Sequence, residues 1–126
     1  AVSDYKPAFF AKDKVKCKTG YNLRLVRNPD ILSVVARRKN KGTIVVGFSI
    51  ETRDLIKNSL LKLRKKRLDL IVANEVSSRN RPFGRGPGTV YVLGKRGVRK
   101  SLQKEPKERI ARAILDTIRE LCYTPN

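Results

Sequence analysis

Two stretches of the chain are almost continuously apolar. Thr43-Ile44-Val45-Val46-Gly47-Phe48 and Asp69-Leu70-Ile71-Val72-Ala73-Asn74 have the pattern of strands buried on both faces. Asn22 to Val26 alternates Leu23 and Leu25 with polar neighbours, which predicts a short half-buried strand. Thr89 to Leu93 reads as a further strand. Between these runs the period becomes helical. Asn28-Pro29-Asp30 supplies a cap, a proline suited to a first turn and an acid. The helix it opens, Pro29 to Arg38, carries Ile31, Leu32, Val34 and Val35 and ends in cations suited to its negative pole. Thr52 is a fit N-cap for a second helix to about Arg67, with Leu55, Ile56, Leu60 and Leu63 on one stripe. Glu105 to Leu121 predicts a closing helix with Ile110, Ile114, Ile118 and Leu121 in register. Lys41-Gly42 and Lys95-Arg96-Gly97 read as turns. Ala1 to Gly20 reads as irregular, although Lys12, Lys14, Lys16 and Lys18 recur at strand spacing.

Short buried strands alternating with helices define an α/β chain. The expectation is a three-layer arrangement, a mostly parallel sheet with helices on both faces. Ligands of such sheets gather at the carboxyl ends of the strands, which singles out Phe48-Ser49 and Asn74-Glu75. The 126 residues, 40% of them apolar, predict a single α/β domain over residues 1–126 with its own core.

Charge changes the picture. Lys and Arg number 30 against 11 Asp and Glu, a formal balance of +19. A basic loop over residues 76–104 has eight cations and no acid. Such a field selects a polyanion: a nucleoside triphosphate, a nucleic acid, or both. The Arg/Gly stretch from Arg79 to Gly88 admits three readings: a lid over nucleotide phosphates, a clamp on an RNA backbone, or a solvated loop. A nucleotide pocket needs only a handful of cations, fewer than this chain carries. The absence of His removes the commonest general base. Cys17 and Cys122 belong to no metal-binding spacing and read as free thiols of a reducing, cytoplasmic protein. No apolar run approaches the ~20 residues of a membrane span, so no membrane partner is expected. The opening Ala1-Val2-Ser3-Asp4 is neither a signal peptide nor an initiator methionine, as expected of a processed or partial chain.

Several segments together resemble one family. Gly47-Phe48-Ser49-Ile50-Glu51-Thr52, then Lys62-Leu63 with Lys66 and Asp69, then Ile71-Val72-Ala73-Asn74-Glu75-Val76-Ser77 are similar to the GFAAET, KLxxKxxD and IVANDVS segments of phosphopantothenoylcysteine synthetase. Val2-Ser3-Asp4-Tyr5-Lys6-Pro7 looks like its AVADYRP, and Leu25 to Leu32 like its LxxNPDIL. Lys107, Ile110-Ala111 and Ile114-Leu115-Asp116 follow its closing SKxEVAxxILD. The resemblance covers nearly the whole chain, in order, and points to the carboxyl-terminal, nucleotide-binding half of the synthetase.

That family joins 4′-phosphopantothenate to cysteine through an acyl-nucleotidyl intermediate made from CTP or ATP with Mg²⁺. The resemblance therefore implies a Rossmann-like fold and a ligase role in coenzyme A biosynthesis. By position it implies Lys14 and Lys16 as catalytic cations, and Ser3, Asp4, Phe48, Lys62, Lys66 and Asn74 at the nucleotide, with Asp4 also a metal ligand. Readings from the residues alone stay open beside these. Lys14 and Lys16 suit a solvated edge strand, Phe48 a core position, Asp69 and Asn74 turn caps, and the cations around Lys62 and Lys66 the negative pole of a helix.

Three departures qualify the match. The amino-terminal half of the family is absent, so the isolated chain is expected to be inactive until another segment, a partner subunit or a second copy in a homodimer completes it. The family's lysine motif, KIKK, reads Lys14-Val15-Lys16-Cys17 here, with Cys17 where its last lysine belongs. The loop after Asn74 is basic. The alternative reading is a non-catalytic descendant of the fold, a ribosome or ribonucleoprotein component. It would hold RNA backbone through Arg79, Arg81, Arg85, Lys95, Arg96, Arg99 and Lys100.

Overall fold

The computed structural model describes residues 3–17, 19–76 and 88–123, in two compact units, Ala1–Ile31 and Leu32–Asn126. The first unit is built on an antiparallel pair, β1 (Tyr5–Pro7) and β2 (Leu25–Arg27), in the register Tyr5↔Arg27 to Pro7↔Leu25. The Ala8 amide donates to the Arg24 carbonyl and the Asn28 amide to the Asp4 carbonyl, each at 2.9 Å. Asn28 Nδ2 also donates to the Ser3 carbonyl at 2.7 Å. Asn28, expected as a helix cap, thus closes this pair instead. β1 was not expected, because two of its three residues are polar or proline. The lysine-rich segment holding Lys14 and Lys16 contains no strand. A period of two specifies a strand only where one face has something to bury, and alternating lysines with Asp13, Val15 and Cys17 between them do not.

α1 (Ile31–Arg38) leads into the second unit, followed by β3 (Val46–Glu51), α2 (Leu55–Lys66), β4 (Leu70–Glu75), β5 (Gly88–Gly94), β6 (Gly97–Glu105) and α3 (Lys107–Tyr123). The four strands form one sheet in the order β3-β4-β5-β6. β3 and β4 run parallel from Val46↔Leu70 to Glu51↔Glu75. β4 and β5 pair antiparallel from Leu70↔Gly94 to Asn74↔Val90, and β5–β6 is an antiparallel hairpin. The α/β class is as expected, but the share of parallel pairing is smaller. Only β3 and β4 are joined by a helical crossover, whereas Lys95-Arg96 is a tight turn that imposes antiparallel pairing. β6 itself escaped the sequence reading, because Val98 and Leu102 are too few among Arg99, Lys100 and Lys104 to set a period.

Alternation along the strands builds a separate core on each face. Ile71 and Ala73 of β4 and Leu93 of β5 pack with Leu63 of α2, Leu68 and Ala36 of α1. Val72 and Val90 face the other way and pack with Ile110 of α3, joined by Val46, Leu102 and Ile114. Helices therefore cover both faces of a central sheet. No helix among the described residues is long and apolar enough to cross a membrane.

The ends of α2 show what the sequence could not. β3 continues to Glu51, so Thr52 falls in the turn and Asp54 becomes the N-cap, in a left-handed conformation (φ 47°) without a side-chain cap bond. At the other end Arg67 adopts φ 57°, its amide donating to Arg64 at 3.2 Å while Leu68 donates to Leu63 at 3.0 Å. This αL closure satisfies carbonyls that the helix leaves orphaned.

Candidate functional site

The carboxyl edge of the parallel strands is Glu51 beside Glu75, not Phe48-Ser49 as expected. β3 starts at Val46, three residues after the start of its apolar run, and ends correspondingly later. Phe48 and Ser49 therefore lie within the strand and on opposite faces. The α2 face carries Ser49, whose hydroxyl lies 2.9 Å from that of Ser59 inside the core. It also carries Glu51, whose carboxylate meets Lys62 Nζ at 2.6 Å. Glu51 Oε1 is buried, and this ammonium is its charge partner. Beyond Glu51 the first turn of α2 overhangs an open pocket of about 390 Å³ lined by Asp54, Leu55, Ile56, Lys57, Glu75 and Tyr91. Its charged lining is two carboxylates, Asp54 and Glu75, against the single Lys57. Sequence reasoning passed over Glu51 and Lys57 as site residues, and took Tyr91 only as a stacking face for the alternative RNA reading. The one available signal was the strand-to-helix turn after the first apolar run.

The α3 face offers a different surface at the same end. Phe48 and Ile50 share it with Val46, and Asn74 lies opposite Ile50 on one side and Val90 on the other. α3 packs over β5 and β6, and Phe48 and Ile50 are exposed at this corner of the sheet. Phe48 is 67% exposed, so the core reading of that ring is wrong. A large aromatic ring left open beside a half-buried amide is a stacking surface.

The residues expected at a nucleotide thus fall into three places. Phe48 and Asn74 lie on the α3 face. Lys62 and Lys66 lie one turn apart on α2, on the other side of the sheet, Lys62 with its ammonium on Glu51. Ser3, Asp4, Lys14 and Lys16 belong to the first unit, with the Ser3 and Asp4 carbonyls engaged by Asn28 and all four residues exposed. Of the nucleic-acid set, Lys95 and Arg96 form the β5–β6 turn, and Lys100 pairs with Glu120 at 3.2 Å. Arg79, Arg81 and Arg85 lie outside the described residues. Cys17 and Cys122 are free and exposed.

A central sheet flanked by helices on both faces is a Rossmann-like α/β arrangement. Residues 1–122 match the DNA/pantothenate metabolism flavoprotein C-terminal domain, and the chain belongs to that family. It is 38% identical over 119 residues to the coenzyme A biosynthesis bifunctional protein CoaBC of Borreliella burgdorferi, covering 91% of this chain and 29% of that protein. It is 37% identical over 125 residues to the CoaBC protein of Vibrio parahaemolyticus, covering 96% and 31%. A crystal structure of the C-terminal domain of a CoaBC protein superposes with a TM-score of 0.70 and 26% identity, over 95% of this chain and 50% of that one. The DNA/pantothenate metabolism flavoprotein of Streptococcus pneumoniae, at 24% identity and a TM-score of 0.64 over 79% of this chain and 42% of that one, shares the fold. The resemblance to the synthetase part of these bifunctional proteins therefore holds. The chain spans about 30% of the length of these two curated relatives (29% and 31%).

Proposed function

We propose that this chain is part of a nucleotide-dependent phosphopantothenate–cysteine ligase of coenzyme A biosynthesis, using CTP or ATP with Mg²⁺. The observation that carries the reading is the exposed Phe48 ring beside Asn74 at that corner of the sheet, in a chain that belongs to this family. Phe48 receives the flat face of the base, and Asn74 offers an amide to its edge or to the ribose. Lys62, whose ammonium reaches the carboxyl edge at Glu51, supplies a cation for the phosphates. Lys62 meets a phosphate by exchanging Glu51 for it.

The chemistry needs position and charge more than a resident acid or base. A carboxylate oxygen of 4′-phosphopantothenate attacks the α-phosphorus, forming a P–O bond as pyrophosphate leaves. The cysteine amine then attacks the acyl carbon, forms the amide with loss of a proton, and releases the nucleoside monophosphate. Mg²⁺ takes one or two carboxylates plus phosphate oxygens. The ion would arrive with the triphosphate, and Asp4 is the carboxylate proposed to meet it.

Completion by another segment or subunit fits the sheet. β3 is an edge strand, with Phe48 and Ile50 exposed, and a further parallel strand would extend it. The test is calorimetric titration of CTP and of ATP with Mg²⁺, in wild type and Phe48→Ala, followed by pyrophosphate release after adding the separately expressed amino-terminal half of the synthetase part of a CoaBC relative. One-site binding that Phe48→Ala abolishes, and pyrophosphate release only with 4′-phosphopantothenate and the added half, support the reading. Absence of nucleotide binding both alone and with the added half overturns it.

A further inference from the structure

The end of the sheet away from Glu51 and Glu75 carries a cationic rim. β3 and β4 begin there, β5 ends there, and the turn into β6 follows. α2 arrives at the same end with Arg64, Lys65 and its C-cap Arg67, three residues ahead of Leu70. Leu70 lies opposite Gly94, and Lys95-Arg96 comes next. Three residues of chain reach at most about 10 Å and one inter-strand step about 5 Å. The helix end and the hairpin turn are thus near enough to meet neighbouring phosphates of one strand.

Arg99 is brought into the rim by the backbone. The register passes from Val92↔Lys100 to Leu93↔Val98, which leaves Arg99 as the extra residue of a bulge. Bulges re-aim side chains. The Arg99 side chain lies across Gly94, where a Cβ would come within 2.8 Å of its Nε. Glycine at that position leaves room for the guanidinium at the sheet end.

Arg64, Lys65, Arg67, Lys95, Arg96 and Arg99 are all exposed, and none has an acidic partner among the described residues. The nearby acids are already engaged, Asp69 by Lys39 and Glu120 by Lys100. A helix pole accounts for the cations of α2. It does not account for Lys95 and Arg96, which lie in a turn beyond any helix. Nor do they guard an edge strand, since they fall outside β6.

We infer that this rim binds the phosphate backbone of single-stranded RNA, as a second anion site at the opposite end of the sheet from the pocket and Phe48. Four of the six cations are arginines, whose fork matches phosphate oxygens in pairs. Contacts to phosphate position a strand without reading its bases. A membrane-docking surface would combine such cations with several apolar wedges, whereas Val98 is the one large apolar side chain exposed between Gly94 and Lys100 and none is exposed between Leu63 and Leu70.

The probe is a fluorescein-labelled, mixed-sequence single-stranded RNA of roughly 20 nucleotides, enough to cross one small domain, titrated with the full chain at several salt concentrations. Six phosphate contacts on a single strand give a slope of about −4 in log affinity against log salt, and removing three lowers its magnitude by about 2. Arg64→Gln/Lys65→Gln/Arg67→Gln and Lys95→Gln/Arg96→Gln/Arg99→Gln should each show that loss, with native circular dichroism and unchanged CTP or ATP titrations. Should a triple variant fail to fold, the single changes Arg96→Gln and Arg99→Gln should each lower the magnitude of the slope by about 0.7. Slopes that match wild type in both sets would overturn the inference. So would retention of the chain on phosphatidylserine vesicles with no measurable RNA binding.

Discussion

Lys39, just past the end of α1, donates to both carboxylate oxygens of Asp69, at 2.7 Å to Oδ1 and 2.5 Å to Oδ2. The same carboxylate accepts the Val45 amide at 2.7 Å, one residue before β3 begins. A single side chain thus ties the end of one helix to the starts of both parallel strands. Replacing Asp69 with Ala strands a backbone donor and leaves a half-buried ammonium uncompensated. Asp69→Ala should cost about 1.5–3 kcal/mol, the range for hydrogen bonds to charged groups. The carboxylate is only 18% exposed, so solvent screening offsets little of this. Urea unfolding followed by circular dichroism measures it. Lys39→Ala, which removes one partner and leaves the Val45 bond, should cost less.

Gly47 and Gly94 are both buried, but alanine should have opposite consequences at the two. At Gly47 a Cβ would stand 2.6 Å from Leu68 Cδ1 and 3.0 Å from Leu32 Cδ2, and Leu68 is sealed in the core. Gly47→Ala should destabilise by about 1–3 kcal/mol, as overpacking does. At Gly94 the crowding atoms belong to the exposed Arg99 side chain, which can swing away. Gly94→Ala should leave the thermal midpoint nearly unchanged while weakening RNA binding by displacing Arg99. Thermal melts of the two variants, with the RNA titration on the second, separate these effects.

The buried Ser49–Ser59 hydroxyl pair should behave non-additively. Either single alanine leaves the other hydroxyl without its partner in the core, at a cost of about 1–3 kcal/mol. The double variant Ser49→Ala/Ser59→Ala removes both polar groups and should be more stable than the sum of the singles predicts. A double-mutant cycle from denaturant midpoints reads the coupling directly. Simple additivity would mean that water or another group satisfies the stranded hydroxyl.

Phe48 should separate binding from folding. With most of its ring in solvent, Phe48 contributes little burial, so Phe48→Ala should leave the unfolding midpoint within about 0.5 kcal/mol of wild type. It should nevertheless abolish nucleotide binding. Lys62→Gln should cost more, about 1–3 kcal/mol, because it takes the ammonium away from a Glu51 carboxylate that is only 12% exposed. It should also weaken CTP or ATP binding in the same titration. A large loss of stability in Phe48→Ala would assign that ring to the fold instead.

Much of the architecture could be read from local pattern. β4 and α3 fall within two residues of their expected bounds at each end, since a continuous apolar run and a 3.6-residue stripe each have one low-energy solution. The family segments were legible as well, since they are strings of residues in order. The site was legible only by residue type. Phe48 and Asn74 proved to share a face, while Lys62 and Lys66 lie across the sheet from them, because a strand alternates faces at every residue and a three-residue shift in where β3 begins moves its carboxyl end with it.

Residue order by itself determined the α/β class, the basic character and the family, all of which depend on composition, local period or motif and survive small errors of boundary. Only tertiary structure decided the rest. The hairpin β5–β6 exists because β5 offers β6 a partner, although the sequence of β6 carries almost no strand signal. Thr52 lost the N-cap to Asp54 because pairing with β4 carried β3 as far as Glu51. Arg99 reaches Gly94 because a bulge places it there. Each outcome depends on which segments meet in space, and hydrogen-bond pairing between distant segments outweighs the few tenths of a kcal/mol per residue by which local propensities differ.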